Sequence, residues 1–519
     1  MAALKANTKL SPVQLVWFKR DLRLSDHQPL LAAVKTGLPV LLLYVVEPDY
    51  WAQSFASRRQ WTFIHDCLQE LRHESARCGQ CLCVRIGKVM DAFSELANKY
   101  QIKAIHAHQE TGNSWTYARD RAVAGWCQTR QIPLFEYPFN GVIRGLSNRD
   151  KWSGLRARRM TKSILAAPVC LQPVEGLDPG QVPAKSDPLF GAAFNGDVQL
   201  GGRQAAKNLL SSFLTIRARA YQRGMSAPQS ASNVCSRLSP HLTYGTLSVR
   251  EVEQAVTRRL VKLGPQDQMF RRSLSSFSSR LIWRCHFMQK LEDQPDLDRT
   301  CMHNSFEGLR EAFHNPAFLQ AWSEGKTGYP FVDACMRSLN QTGWLNFRMR
   351  AMLVSFAAYH LWLDWRQFGP HLARQFADYE PGIHYSQLQM QSGVTGINTV
   401  RIYNPVKQSY DQDPGGQFIR RWIPELENVS LQWLHEPWKM SSDLSHHEVD
   451  IVGQHYPFPL VDNETAMKRA RARMSDVRKT VGFADVARQV YARLGSRNRP
   501  ARRRAKPNDR QLSLFYETG

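Results

Sequence analysis

Short apolar runs alternate with amphipathic stretches over the first 140 residues or so. Val13–Phe18, Val40–Val46, Leu82–Ile86, Ala104–His108 and Pro133–Tyr137 are compact apolar runs, and each predicts a buried strand. Between them, Gln28–Lys35, Arg58–Cys78, Met90–Tyr100 and Ser114–Thr129 carry apolar residues at helical spacing. This alternation predicts an α/β unit with a parallel five-stranded sheet covered on both faces. No GxGxxG follows the first strand, so the usual dinucleotide fingerprint is absent.

The pattern fades between Gly145 and Gly202, where Pro168, Pro173, Pro179, Pro183 and Pro188 sit among Gly, Asp and Ser. After Arg203 it becomes helical, with Ala205–Arg223, Val249–Leu263, Gln268–Leu291, Asn315–Glu324, Tyr329–Thr342, Phe347–Trp365 and Pro370–Tyr379 as the main candidates. Met467–Leu494 reads as one charged terminal helix. A basic segment follows, interrupted by Pro500 and Pro507, for which solvated disorder is expected. The organisation expected is an α/β domain over 1–144, a linker over 145–202, an all-helical domain over 203–492 and a basic tail over 493–519.

Composition sharpens the picture in two ways. The formal net charge of +23 points to an anionic partner, nucleic acid above all, although part of that charge lies in the tail. The 10 cysteines are scattered, as in reduced cytoplasmic proteins. The Cys78, Cys81, Cys83 cluster lacks a second Cys/His pair at metal spacing, so no metal is expected. The opening residues lack a secretory h-region, and no run approaches the roughly 20 apolar residues that span a bilayer. A cytoplasmic chain without a membrane partner, monomeric by preference, is the expectation.

Several motifs stand in a fixed order. Val16-Trp17-Phe18-Lys19-Arg20-Asp21-Leu22-Arg23-Leu24 comes first, and Arg237-Leu238-Ser239-Pro240-His241-Leu242 with Gly245 comes second. Thr327–Ala334, Thr342-Gly343-Trp344, Leu363-Asp364-Trp365-Arg366, Arg401-Ile402-Tyr403-Asn404-Pro405 and His435–Met440 follow. Each is weak alone. As an ordered set over roughly residues 13–445, they resemble the cryptochrome/photolyase family. The resemblance implies an N-terminal antenna-type α/β domain, an all-α C-terminal domain holding a folded FAD, and a basic surface facing DNA. It also allows a second, antenna chromophore whose identity the residues do not give.

Carried over residue by residue, the resemblance gives a cofactor set. Tyr221, Cys235, Ser236, Arg237, Leu238 and Ser239 form the phosphate-binding turn, with Cys235 where the family usually has Thr. Arg350 and Asp378 form an ion pair beside the flavin ring, flanked by Tyr379, and Arg284 is a further cofactor contact. Glu380 stands where Asp is common. His384 falls at the position near flavin N5, where a histidine can donate a proton and alter which redox state is stable.

The substrate side departs from the family. Trp283 matches a tryptophan that packs against an extruded lesion. Arg280 replaces the glutamate of cyclobutane-dimer enzymes, and Phe347 replaces their asparagine. The family's DNA contacts fall on Arg280, Trp283, Arg284, Asn346, Phe347, Arg348 and Gln408. Trp365 matches the middle of the family's three-tryptophan chain, whose other positions fall near Ser386 and Ala312. Trp344, Trp362, Trp322 and Tyr385 are alternative carriers.

Near the end, Gln511, Leu512, Leu514 and Phe515 lie in a pentapeptide resembling those that bind the bacterial sliding clamp, on a basic tether that raises its local concentration at DNA. The leading expectation is an FAD-dependent, blue-light-driven DNA photolyase, a lyase splitting pyrimidine dimers. A cryptochrome-like photoreceptor without repair is the alternative. A nucleotide-binding synthetase is a distant one, because Lys439-Met440-Ser441-Ser442 is similar to a KMSKS loop.

Overall fold

The structure, a computed structural model, describes residues 10–440 and 451–497. Strands β1 (Pro12–Phe18), β2 (Val40–Val46), β3 (Cys83–Ile86), β4 (Gln101–His108) and β5 (Leu134–Tyr137) form one parallel sheet in the order β3-β2-β1-β4-β5. Helices α1 (Gln28–Val34), α2 (Arg58–Arg77), α3 (Val89–Lys99) and α4 (Ser114–Thr129) make the crossovers. The strand–helix alternation therefore reads correctly from the sequence.

β1 lies at the centre, and its alternate residues serve two cores. Val13, Leu15 and Trp17 pack with Phe93, Leu96 and Val123 beneath α3 and α4. Val16 and Phe18 point the other way, into a core that runs through Trp61 and Phe63 of α2 to Trp322, Phe331 and Trp365. The sheet and the helical part thus share buried apolar surface, which fixes the polar groups between them.

The segment between sheet and helices is straplike. It contains one unexpected helix, α5 (Trp152–Met160), whose Trp152 indole donates to the Gly141 carbonyl at 3.0 Å. Elsewhere its backbone bonds to the α/β part, with Leu171 donating to Cys78 and Val84 to Pro179.

The main helices that follow are α6 (Arg203–Thr215), α7 (Val249–Val261), α8 (Gln268–Asp293), α9 (Pro330–Thr342), α10 (Phe347–Ser355), α11 (Trp365–Gln375), α12 (Pro381–Ser392), α13 (Asn463–Arg478) and α14 (Phe483–Leu494). Four differ from the sequence reading, among them the helix expected over Pro370–Tyr379, which runs from Trp365 to Gln375. The helix expected over Ala205–Arg223 stops at Thr215, because the Arg217 guanidinium turns back onto the Leu209 and Ser236 carbonyls. The helix expected over Phe347–Trp365 ends at Ser355. A π-turn over Phe356–His360 and a left-handed Trp362 follow, and Asp364 then caps α11, which carries Pro370 in its interior. The terminal helix is two helices, broken before Gly482, whose φ of 81° suits glycine. Among the described residues, no helix is long and apolar enough to cross a membrane.

Candidate cofactor and nucleic-acid cavity

A cavity of about 660 Å³ opens among α8, α10, α11 and α12. Gly382 lets α12 cross close to α8, since a Cβ there would sit 2.6 Å from Met288 Cα. The cavity brings together most of the residues singled out above. Tyr221, Cys235, Ser236, Arg237 and Ser239 line one side, and Arg350, Asp378, Tyr379, Glu380 and His384 line another. Arg280, Trp283, Arg284, Asn346, Phe347 and Arg348 complete the wall.

Three expected residues stand apart from it. The Leu238 side chain is buried in the apolar cluster beneath the turn and leaves only its backbone to the site. Gln408 is buried on the helix Pro405–Gln412, away from the cavity lining. Trp365 lies fully buried behind it.

Arg350 donates to both oxygens of Asp378 at 2.9 Å, gives its Nε proton to the Leu345 carbonyl at 2.7 Å, and lies 4.1 Å from the Phe376 ring centroid. Burial raises the Asp378 pKa, but the Arg350 charge and the Ser239 hydroxyl more than offset it, so the carboxyl sits below its ordinary range. The 236–239 turn is therefore tied to the Arg350–Asp378 pair.

Arg237 sits at a φ of 60° between Ser236 and Ser239, an arrangement that turns backbone N–H groups to one side. Its guanidinium lies 4.1 Å from the Trp344 ring centroid, and Gln199 of the strap bonds both its Nε and its carbonyl. Glu380 accepts from Arg284 at 2.8 Å and from Arg20 of the α/β part at 3.5 Å. The Arg20 contact ties this cavity-lining carboxylate to the α/β part.

The proton-donor role expected for His384 changes form. Its Nε2 lies 3.1 Å from the Gly369 carbonyl, so that nitrogen carries the proton and donates it there. Burial pushes its pKa down to about 3, so the ring stays neutral. His384 is then a fixed wall whose Nδ1 can only accept. The Arg280 guanidinium bonds the Tyr221 hydroxyl, whose pKa burial raises to about 12.

Some contributors left little trace in the sequence. Gln199 lies in an irregular stretch, and Phe376 looks like any core aromatic. Arg20 lies within the opening motif, and its reach to Glu380 is a tertiary fact. Lys290, seven residues beyond Trp283, is visible as an extension of the same helical face.

Electrostatically, seven Arg and Lys side chains line the cavity against two carboxylates, Asp378 and Glu380. The Nε of Arg284, the Oδ1 of Asn346 and the Nε2 of Gln387 are buried there with no hydrogen-bond partner. Cationic excess, unanswered polar atoms, a turn rich in donors and apolar walls suit a large, flat, anionic cofactor such as FAD.

Residues 14–143 match the family model "DNA photolyase", and residues 277–476 match "FAD binding domain of DNA photolyase". The chain is 30% identical over 484 residues to the deoxyribodipyrimidine photo-lyase of Escherichia coli, covering 90% of this chain and 99% of that one. A bacterial class III photolyase from Agrobacterium tumefaciens superposes with a TM-score of 0.77 at 25% identity, covering 92% of this chain and 100% of that one. A Synechocystis cryptochrome superposes with a TM-score of 0.79 at 25% identity, covering 89% and 99%. The sheet, the helical FAD-binding domain and these likenesses agree: the chain belongs to the DNA photolyase family.

Proposed function

We propose that the chain is an FAD-dependent, blue-light-driven DNA photolyase that acts on a pyrimidine dimer, in the cytoplasm and as a monomer. One observation carries the reading. Arg280 and Trp283, suited to an extruded base and its phosphates, open onto the same cavity as the Arg350–Asp378 pair. When bound, reduced FAD supplies a light-driven electron to the dimer and takes it back once the dimer splits.

The chain's own residues hold and orient. Arg350, fixed in plane by Asp378 and Phe376, sets positive charge beside the ring. The Ser236 hydroxyl and backbone N–H groups of the 236–239 turn are the donors for the pyrophosphate, the Ser239 hydroxyl being held by Asp378. Trp283 offers a stacking face to the flipped base, and Asn346, Phe347 and Arg348 form the rim. For photoreduction we assign the route Trp365, Tyr385, Tyr379. The Trp365 and Tyr385 rings lie 6.3 Å apart, and the Tyr385 and Tyr379 hydroxyls lie 3.3 Å apart.

Gln511, Leu512, Leu514 and Phe515 lie outside the described residues. The sliding-clamp reading rests on their sequence, and deleting 511–519 is expected to abolish clamp binding. The KMSKS likeness carries no separate function, because His435–Met440 falls within the matched FAD-binding model.

Purified, FAD-loaded chain incubated with DNA carrying a defined cyclobutane or 6-4 lesion tests the repair reading. Blue light is expected to restore one of the two. Failure on both favours a cryptochrome-like photoreceptor, which Arg280 in place of the usual glutamate also supports.

A further inference from the structure

A smaller cavity, of about 70 Å³, lies where the α/β part, the strap and α7 meet, and it shares no residue with the large one. Arg23 follows β1, Asn140 follows β5, Arg159 and Lys162 come from α5 and the residues after it, and Arg250 lies in the first turn of α7. Four cations therefore line it against one carboxylate, Asp26. One water needs about 10–15 Å³ of such space, so several waters or one small ion fit, whereas a nucleoside does not.

The carboxylate is already engaged. Asp26 accepts from Arg250 Nε at 3.0 Å, from Arg250 Nη2 at 2.5 Å and from the Ser248 hydroxyl at 2.5 Å. Among the described residues, the other three cations form no ion pair with a carboxylate. Arg159 donates its Nη1 to the Asn140 carbonyl at 3.3 Å and to the Val142 carbonyl. Burial above all lowers its pKa, and the Arg250 charge adds to this. Arg23 is 2% exposed, donates to the Gly245 and Asp26 carbonyls at 2.8 and 2.9 Å, and keeps a buried Nε with no partner. Burial lowers its pKa despite the charges of Glu251, Asp26 and Asp21. Lys162 is exposed at the edge of the cavity.

The backbone adds to this set. Val249 and Arg250 line the cavity, and their N–H groups precede the first backbone bond of α7, from Val252 to Ser248 at 3.3 Å, so neither has an intrahelical acceptor. Asp26 and Asn140 both hold a left-handed φ of 51°, a feature shared with Arg237 of the flavin turn and recurrent where ligands are held. His108, also in the lining, adds no charge: its Nδ1 gives its proton to Asp21 at 2.6 Å, and burial above all lowers its pKa to about 3. Cations answered only by carbonyls are destabilising until an anion meets them.

We infer that this cavity binds one phosphate group, held by Arg23, Arg159, Lys162 and the first N–H groups of α7, and that the anion ties the strap to both domains. A free phosphate ion and a phosphate of a DNA strand offer the same chemistry. None of the residues assigned to the flavin takes part, and the inference holds whether or not the chain repairs lesions.

Equilibrium dialysis of the FAD-loaded chain against radiolabelled inorganic phosphate tests it, with chloride holding the ionic strength constant. One phosphate per chain is expected. Arg159→Met and Lys162→Met are each expected to weaken its binding about tenfold. Lys103→Met, at the opposite end of β4 from His108, is expected to leave it unchanged. Phosphate is also expected to raise the melting temperature of the unsubstituted chain and of neither cavity variant. Lys162 is exposed, so its replacement is expected to keep the fold and the flavin, which separates lost binding from misfolding. Displacement of the phosphate by a short oligothymidylate identifies a DNA strand as the source; phosphate that stays bound identifies the free ion. An unsubstituted chain that retains no phosphate, or one that retains it no better than the two cavity variants, overturns the inference.

Discussion

Buried charge is handled in opposite ways at two places in this molecule. In the α/β part, Arg119 meets Glu47, Glu110 and Asp120 at 3.0, 2.6 and 2.8 Å, and Lys19 meets Asp120 at 2.8 Å. Burial alone lowers the Arg119 pKa, but the three carboxylates outweigh it and hold it well above its ordinary value. Nearby, Asp21 receives His27 at 2.9 Å and His108 at 2.6 Å, and His27 Nδ1 accepts from the Leu30 N–H. Arg119, Lys19 and Asp21 are each answered there by partners from within the chain. In the helical part, seven cations face two carboxylates, and several buried polar atoms have no partner. A closed set of charges holds a structure together, whereas an unbalanced set implies a ligand that completes it.

Breaking the closed set has the largest expected effect. Arg119→Met strands Glu47 and leaves Glu110 and Asp120 to Lys19 alone, and urea unfolding is expected to register a loss on the order of 3–5 kcal/mol, with the flavin content of the folded fraction unchanged. In the open set, Arg350→Met leaves Asp378 without its cation. Flavin retained per chain is expected to fall about tenfold, read from absorbance after gel filtration. Trp283→Ala removes a stacking face, and affinity for single-stranded DNA is expected to fall about tenfold or more, with flavin retained.

The smallest effect concerns protons. His384 is depressed to about 3 when folded, against an ordinary value of 6.5. The unfolded chain therefore binds that proton first. The stability contributed by the neutral ring is full above pH 6.5 and declines as pH falls toward 3. His384→Asn is expected to flatten part of that acid slope in denaturation curves, the remainder belonging to other buried histidines such as His108, also depressed to about 3.

The sheet was legible because its strands are short apolar runs, the central β1 and β2 buried on both faces, whose period no helix shares. The breaks in the helical part were hidden for a physical reason. Trp362 in a left-handed conformation and the inward turn of Arg217 depend on tertiary partners, and the local pattern continues straight through them. At the site, Arg237, inside an ordered motif, and Arg350 and Asp378, placed by the family resemblance, could be named from sequence. Their supports could not, since Gln199 and Arg20 come from chain segments 38 and 360 residues distant from the partners they hold. His384 shows the remaining gap: its position was readable, but the Gly369 carbonyl that takes its proton was not.

A visible absorption spectrum of the purified chain, taken before and after blue light, bears most directly on the claim that the open cavity is completed by FAD. The account predicts flavin bands at close to one FAD per chain, bleached or shifted by illumination, and largely missing from Arg350→Met. A folded chain without those bands, or an Arg350→Met variant as yellow as its parent, contradicts it.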